Sequence, residues 1–403
     1  MELKIYTLTS ALHDRRRIEE ESSQFMAEIQ QHTDMRLTMT DGLDGYGGQT
    51  DGVDVIYVRT GGTEMQFAGR VQVQAGTPVY LLTSGGNNSL AASMEILSYV
   101  RQHGGCGEIL HGSAEYIGRR LTEIAQVERA RRRMAGSVIG VIGQPSDWLI
   151  ASTADGTALR NCLGISLKNI EIAELLDEVG KVTSVPDSTC QRLQYCNSEW
   201  FDGALRIYEA LRVLTARHGL NAMTLRCFDL LTTLRNTGCL ALSLLNCDGI
   251  PSSCEGDVPA LLTMMAAQAL TGKSGFQANP SRINPETGEM VFAHCTVPLD
   301  MVREYSYDTH FESGIGVALH GELPEGDATL MKVSGDLKCL FVKEVTLLRN
   351  QYESNLCRTQ VVLRAEPETA AELLRAPIAN HHIILSGRWR RQVEALFAPF
   401  IEE

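Results

Sequence analysis

The stretch Gly249-Ile250-Pro251-Ser252-Ser253-Cys254-Glu255-Gly256-Asp257, with the segment from Val258 to Leu270 behind it, decides how this chain is read. It sets two carboxylates two residues apart at the mouth of a helix. That helix is apolar on most sides, through Leu261, Leu262, Met264, Met265, Ala266, Ala267 and Leu270. A surface helix would show a polar face, so this one is expected to be buried. Thr271-Gly272 ends it, glycine being the usual residue just past a helix terminus. Carboxylates at the buried end of such a helix need partners, because an unpaired buried charge is costly. A metal ion is one such partner; the positive N-terminal end of the helix dipole is another. Asp257, before Val258-Pro259, reads first as the N-cap, with proline tolerated in the first turn. Glu255 is explained less well this way, since glutamate is not a favoured cap.

Upstream, β-rich runs alternate with helical ones. Leu3 to Leu8, Val53 to Val58 and Pro78 to Leu82 read as strands, with helices over about Arg16 to Gln31 and Leu90 to Gln102. This alternation predicts a parallel sheet covered on both faces, with ligands beyond the carboxyl ends of its strands. Two Gly-Gly loops, Gly61-Gly62 and Gly85-Gly86, fall at those ends. Their amides either hold a hydroxyl or an anion or simply make tight turns. A long polar helix, Ala114 to Met134, closes this region. A second α/β unit opens at Ser137 to Gly143 and is predicted to contain helices over Asn169 to Val179 and Phe201 to His218 and a strand over Ala222 to Cys227. After Gly272, helical periodicity gives way to short β-prone runs, among them Met290 to Cys295, Ala328 to Val333 and Gln360 to Leu363. The expectation is an α/β chain of three domains. Residues 1–136 and 137–278 form two Rossmann-like α/β domains, the second carrying Glu255, and 279–403 form a β-rich, barrel-like domain.

The bulk composition excludes several classes. With 403 residues, two or three domains are natural at roughly 100–200 residues each. The formal net charge of -13 argues against nucleic-acid and anionic-membrane partners, which call for basic patches. The chain lacks an apolar run of about 18 residues, so no transmembrane helix is expected. Met1-Glu2-Leu3-Lys4-Ile5-Tyr6 lacks the hydrophobic region of a secretory signal, which points to a cytoplasmic protein. The 11 cysteines include no CxxC pair and sit mostly beside apolar residues, as reduced buried thiols do.

Beyond Glu255 and Asp257, several residues could do chemistry. His294 ends a short strand. Asn380-His381-His382 places two histidines on an extended segment, where neighbours point to opposite faces, so at most one reaches a given site. His310 and Glu312 lie in a polar turn. Glu312 could hold a substrate hydroxyl or move a proton, or be a plain surface carboxylate. Trp148 lies in the loop after the strand that opens the second unit. Glu255, His294 and one of His381 or His382 have the ligand types that suit Mn²⁺, Fe²⁺, Co²⁺ or Zn²⁺.

In this order the features resemble the L-fucose isomerase / L-arabinose isomerase superfamily, over most of the chain and most strongly from about Cys227 to Val333. Ser253-Cys254-Glu255-Gly256-Asp257 leading to Leu270-Thr271-Gly272 is similar to the segment that carries the family's glutamate ligand, which implies that role for Glu255. The family's aspartate ligand follows in a Phe-Ala-Asp segment. Here Phe276-Gln277-Ala278-Asn279 puts Asn279 at that position. Asn380-His381-His382 resembles the C-terminal histidine segment, and His294 falls where arabinose isomerases have a further histidine.

The resemblance implies two α/β domains and a β-barrel domain. It also implies metal-dependent aldose–ketose isomerisation of a free sugar through a cis-enediol, and a homo-oligomer with active sites near subunit interfaces. The expected metal set is Glu255, His294 and His381, holding a divalent ion with Mn²⁺ first in line. Glu255, Asp257 and Glu312 are the catalytic candidates; Asn279, His310 and Trp148 are the substrate-binding ones. An amide at position 279 cannot act as a base and removes a negative charge. The alternative is therefore a catalytically altered, carbohydrate-binding relative. A periplasmic-type sugar-binding protein also pairs two α/β domains, but the β-rich third segment counts against it.

Overall fold

The computed structural model describes residues 2–48, 52–74 and 76–401. These fall into two compact units: residues 2–130 with Ala395–Phe400, and 131–394 with 401.

In the first unit, β1 (Glu2–Leu8), β2 (Arg36–Thr40), β3 (Val53–Val58), β4 (Pro78–Leu82) and β5 (Cys106–Leu110) form one parallel sheet in the order β2-β1-β3-β4-β5. Both faces are buried, as the near-continuous apolar strands require. Leu3, Ile5, Val53, Val55 and Leu82 pack with Met26, Ile29, Ile117 and Leu121 on one side. Their alternates Tyr6, Leu8, Ile56, Val58 and Leu81 pack with Phe67, Ile96 and Val100 on the other. In each Gly-Gly loop the first glycine's amide is bonded within the protein. Gly61 N–H donates to Asn87 O at 2.8 Å, and Gly85 N–H donates to Thr83 Oγ1 at 3.1 Å.

The second unit begins with another parallel sheet of β6 (Val138–Ile142), β7 (Ser166–Ile170), β8 (Ala222–Leu225) and β9 (Ser252–Cys254), in the order β7-β6-β8-β9. The helix expected over Asn169 to Val179 is in fact the end of β7 followed by a helix at Ile172–Lys181. Ile170 sits deep in the core as the last strand residue, where its spacing to the helical apolar positions mimics helical periodicity. Helix Phe201–His218 forms as expected, and the apolar Cys239–Cys247 segment is a buried helix.

From Phe276 the chain becomes β. β10 (Phe276–Ile283) and β11 (Glu289–His294) are followed by a separate hairpin-like pair, β12 (Glu304–Asp308) and β13 (Ala318–Glu322). Then come β14 (Gly326–Val333), β15 (Leu340–Gln351), β16 (Thr359–Arg364) and β17 (His382–Ser386). β10, β11, β16, β15, β14 and β17 close into an antiparallel barrel. The protein is thus a mixed α/β chain with two parallel sheets and a six-stranded barrel. Helix Val258–Thr271 packs on β14 and β17 of the barrel and on β8 and β9 of the sheet. Every residue from Val258 to Ala267 is buried, and Gly272 ends the helix in the left-handed conformation, φ 72. This helix brings the edge of the sheet and one end of the barrel to the same place.

Candidate metal and substrate site

Glu255 sits between β9 and the buried helix, and its backbone is left-handed at φ 68, followed by Gly256 at φ 73. Such a conformation costs a non-glycine residue about 1–3 kcal/mol and persists only where its surroundings enforce it. Here they do. The Glu255 carbonyl accepts from Ser146 N–H at 2.9 Å, and a Cβ on Gly256 would lie 2.6 Å from Pro145 Cα. From this turn the Glu255 side chain reaches His294 at the end of β11 and His381 just before β17.

Asp257 is the N-cap, as its sequence position predicts. Its Oδ1 accepts from Ala260 N–H at 2.7 Å. Its Oδ2 accepts from His381 Nδ1 at 2.8 Å and lies 3.5 Å from Lys332 Nζ, with Asp257, Lys332 and His381 side chains all fully shielded from solvent. An ionised carboxylate only accepts, so Nδ1 of His381 carries a hydrogen, and Nε2 is the nitrogen turned to Glu255. That Nε2 is buried, makes no hydrogen bond, and lies 3.4 Å from Glu255 Oε1. His294, at the end of β11, repeats the arrangement. Its Nδ1 pairs with Thr296 Oγ1 at 2.8 Å, and its Nε2 lies 3.8 Å from the same Glu255 oxygen. The other oxygen, Oε2, accepts from Trp148 Nε1 at 2.7 Å.

Glu255, His294 and His381 each therefore present one donor atom, and these atoms lie within 4.8 Å of one another. Two imidazole nitrogens and a carboxylate suit a divalent transition metal, and histidine ligands are commonly oriented by a carboxylate or hydroxyl on the opposite ring nitrogen. The buried Nε2 of His381, beside the Glu255 oxygen but without a well-formed hydrogen bond, fits a ligand position in such a site. This group can hold a metal ion.

The electrostatics agree. Burial works against the Glu255 charge, but the two histidines outweigh it and hold the carboxyl well below its usual range. Burial also opposes a charged His381, yet Asp257 and Glu255 raise its pKa to about 9. Burial lowers His294 despite Glu255. Burial likewise pushes Lys332 down, partly offset by Asp257.

A cavity of about 390 Å³ opens in front of Glu255 and His294; His381 is not among the residues that line it. Trp148, Asn279, His310, Glu312 and Asn380 are among its walls, so the sequence candidates Glu255, His294, Trp148, Asn279, His310 and Glu312 share one cavity. Trp148 packs edge-on against Phe228, and Phe228 against His310, giving a continuous aromatic wall. Burial lowers the His310 pKa to about 4, so the ring is neutral near pH 7. Asn380 Nδ2 donates to Asn279 Oδ1 at 3.2 Å. Asp257 is not on the cavity wall; it acts on His381. The choice between the adjacent histidines is resolved by alternation. His381 faces Glu255, while His382 packs between Phe292 and Phe341 and is lowered by burial to about 4. Lys332 and Thr296 went unread in the sequence. A lysine within the apolar run Leu330-Met331-Lys332-Val333 is the signal that could have revealed the first, since it demands a buried acid.

No protein-family model matches the chain. Among curated proteins it is similar to the sulfoquinovose isomerase of Clostridium sp. (strain MSTE9), 27% identical over 146 residues, which is 34% of this chain and 33% of that one. It is similar also to that of Priestia aryabhattai, 23% identical over 262 residues, 61% of this chain and 59% of that one. A third, from Alkalicoccus urumqiensis, is 23% identical over 230 residues, 54% and 52%. The chain is a distant relative of sugar isomerases. The relationship to the L-fucose/L-arabinose isomerase-like superfamily holds at that level, and the matched stretch spans between a third and three-fifths of the relatives' own length. Among the described residues, no helix is long and apolar enough to cross a membrane.

Proposed function

We propose that the chain is a metal-dependent aldose–ketose isomerase acting on a free sugar through a cis-enediol, with Glu255, His294 and His381 as ligands of a divalent ion, Mn²⁺. The observation that carries this is the convergence of those three donors within 4.8 Å of one another, with Glu255 and His294 also lining a cavity. A bound divalent cation would supply Lewis-acid polarisation of the sugar carbonyl and stabilise negative charge on oxygen. Glu255 contributes charge rather than a proton, because its neighbours hold it ionised. Moving the carbon-bound proton then falls to Glu312, exposed at the cavity mouth. A positioned acid or base of this kind contributes about 10²–10⁴-fold. Neutral His310 and the Asn279 amide bind sugar hydroxyls, and Trp148 offers an aromatic face to the sugar's C–H groups. Asp257 and Lys332 fix the His381 tautomer. A cytoplasmic homo-oligomer with active sites near subunit interfaces belongs to the same proposal, as do domain boundaries near residues 136 and 278.

The test is to measure metal content, then follow interconversion across a panel of aldoses and ketoses that includes sulfoquinovose. Mn²⁺-dependent conversion of one pair is expected, abolished by Glu312→Gln. Conversion that persists in chelator would contradict it. A second reading, a carbohydrate-binding protein without turnover, is favoured by Asn279, an amide where the resemblance puts an aspartate. It predicts that metal and sugar both raise the melting temperature by mass action while no sugar of the panel is converted.

A further inference from the structure

Five cysteines, Cys227, Cys239, Cys254, Cys295 and Cys357, line the same cavity as Glu255. Among them Cys227 and Cys254 stand apart by geometry. Their Sγ atoms are 2.7 Å apart. Cys254 is the last residue of β9 and pairs in register with Leu225 of the neighbouring strand β8, so Cys227 follows two residues beyond its partner. Both thiols are buried, at 5% and 3% exposure, yet both border the cavity, which admits a small solute.

We propose that Cys227 and Cys254 are an oxidative modification site that a small peroxide converts into a disulfide. A disulfide needs an S–S distance of about 2.05 Å, so closure asks for a shift of roughly 0.6 Å. In the first step the Cys227 sulfur attacks a peroxide oxygen and the O–O bond breaks. The thiol proton leaves with the departing oxygen as water, and Cys227 becomes a sulfenic acid. In the second step the Cys254 sulfur attacks the Cys227 sulfur and the S–O bond breaks. The Cys254 proton and the hydroxyl leave as a second water. Two sulfurs are each oxidised by one electron, and the peroxide is reduced by two.

The consequence lies next door. Cys254 precedes Glu255, whose left-handed backbone is enforced on all sides, and the Cys254 N–H donates to Gln277 Oε1 at 2.8 Å. Drawing the Cys254 side chain toward β8 strains a segment with no slack, and the carboxylate it carries moves off the two imidazoles. Metal affinity therefore falls several-fold on oxidation and returns on reduction. This last readout rests on the proposed metal site; the cross-link does not.

The experiment treats the full chain with excess hydrogen peroxide, quenches free thiols with iodoacetamide, and maps cross-links by fragmentation of the tryptic peptides. A Cys227–Cys254 link, reversed by dithiothreitol, is expected. It should vanish in Cys254→Ser, where dimedone should trap the Cys227 sulfenic acid. Cys227→Ala, which should also lack the link, serves if the first variant misfolds. Oxidation that stops at sulfinic acid on either thiol, or a link between Cys295 and Cys357 or from Cys239 in its place, overturns the proposal. Retention of the cross-link with unchanged Mn²⁺ affinity overturns only the stated consequence.

Discussion

Behind the cavity, at a floor that does not border it, Asp257, Lys332 and His381 have fully shielded side chains, and both Asp257 oxygens are occupied. At its mouth, Trp148 is half exposed, Glu312 and Asn380 face solvent, and their contacts are few. The floor is a charged network sealed in a low-dielectric interior, where each group is tolerable only because its neighbours are present. The mouth can exchange any contact for water. One part fixes the His381 imidazole against a carboxylate; the other can meet ligands of different shape. Floor residues should therefore answer to stability and metal together, and mouth residues to substrate alone.

The largest effect expected is at Lys332. Lys332→Met removes one of the two cationic partners of buried Asp257, leaving His381, and removing one partner of a buried pair costs up to about 3–5 kcal/mol. Urea denaturation should show this loss, whereas Glu312→Gln, at an exposed position, should stay within about 0.5 kcal/mol of the parent. Equal losses from the two variants would erase the distinction between floor and mouth.

Next in size is the pH response. His381 has its pKa raised from 6.5 to about 9 in the metal-free protein. A raised folded-state value stabilises fully below 6.5, and that stability is lost as pH rises through about 9. Metal binding has the opposite sign, because the proton must leave before Nε2 can ligate. Below pH 9, apparent Mn²⁺ affinity should fall about tenfold per pH unit, while the metal-free melting temperature rises. Calorimetric titration across that range reads both. A flat affinity profile would mean His381 is not a ligand.

A smaller effect is expected at Thr296. Thr296→Val removes the partner of His294 Nδ1, which should cost about 1 kcal/mol of stability and about tenfold in metal affinity. Smallest of all, Trp148→Phe should leave metal affinity within about twofold, because water can replace its N–H at an open position, but should raise KM for the sugar.

Much of this was legible in the sequence because burial leaves a pattern. The helix after Asp257 is apolar all round because it touches both the sheet and the barrel, and Gly272 marks its end. The strands of the first sheet read clearly where both faces are covered, at β1, β3 and β4. β2 and β5 did not, since Arg36–Thr40 and Cys106–Leu110 are only partly buried edge strands with no apolar run. At the candidate site, residue types able to ligate a metal could be read, and the resemblance pointed to Glu255. The networks behind them could not, because Lys332 and Thr296 reach their partners across 75 and 2 residues with no motif in common. Only the barrel closure, which puts β14 and β17 side by side, brings Lys332 and His381 to the same carboxylate.

The central claim is that Glu255, His294 and His381 hold one divalent ion. Elemental analysis after equilibrium dialysis against Mn²⁺ tests it most directly, with the parent and Glu255→Gln measured side by side. One Mn²⁺ per parent chain and none held by Glu255→Gln, with the variant still folded by circular dichroism, is the predicted result. A parent that holds no metal, or a variant that holds it as tightly, would contradict the account.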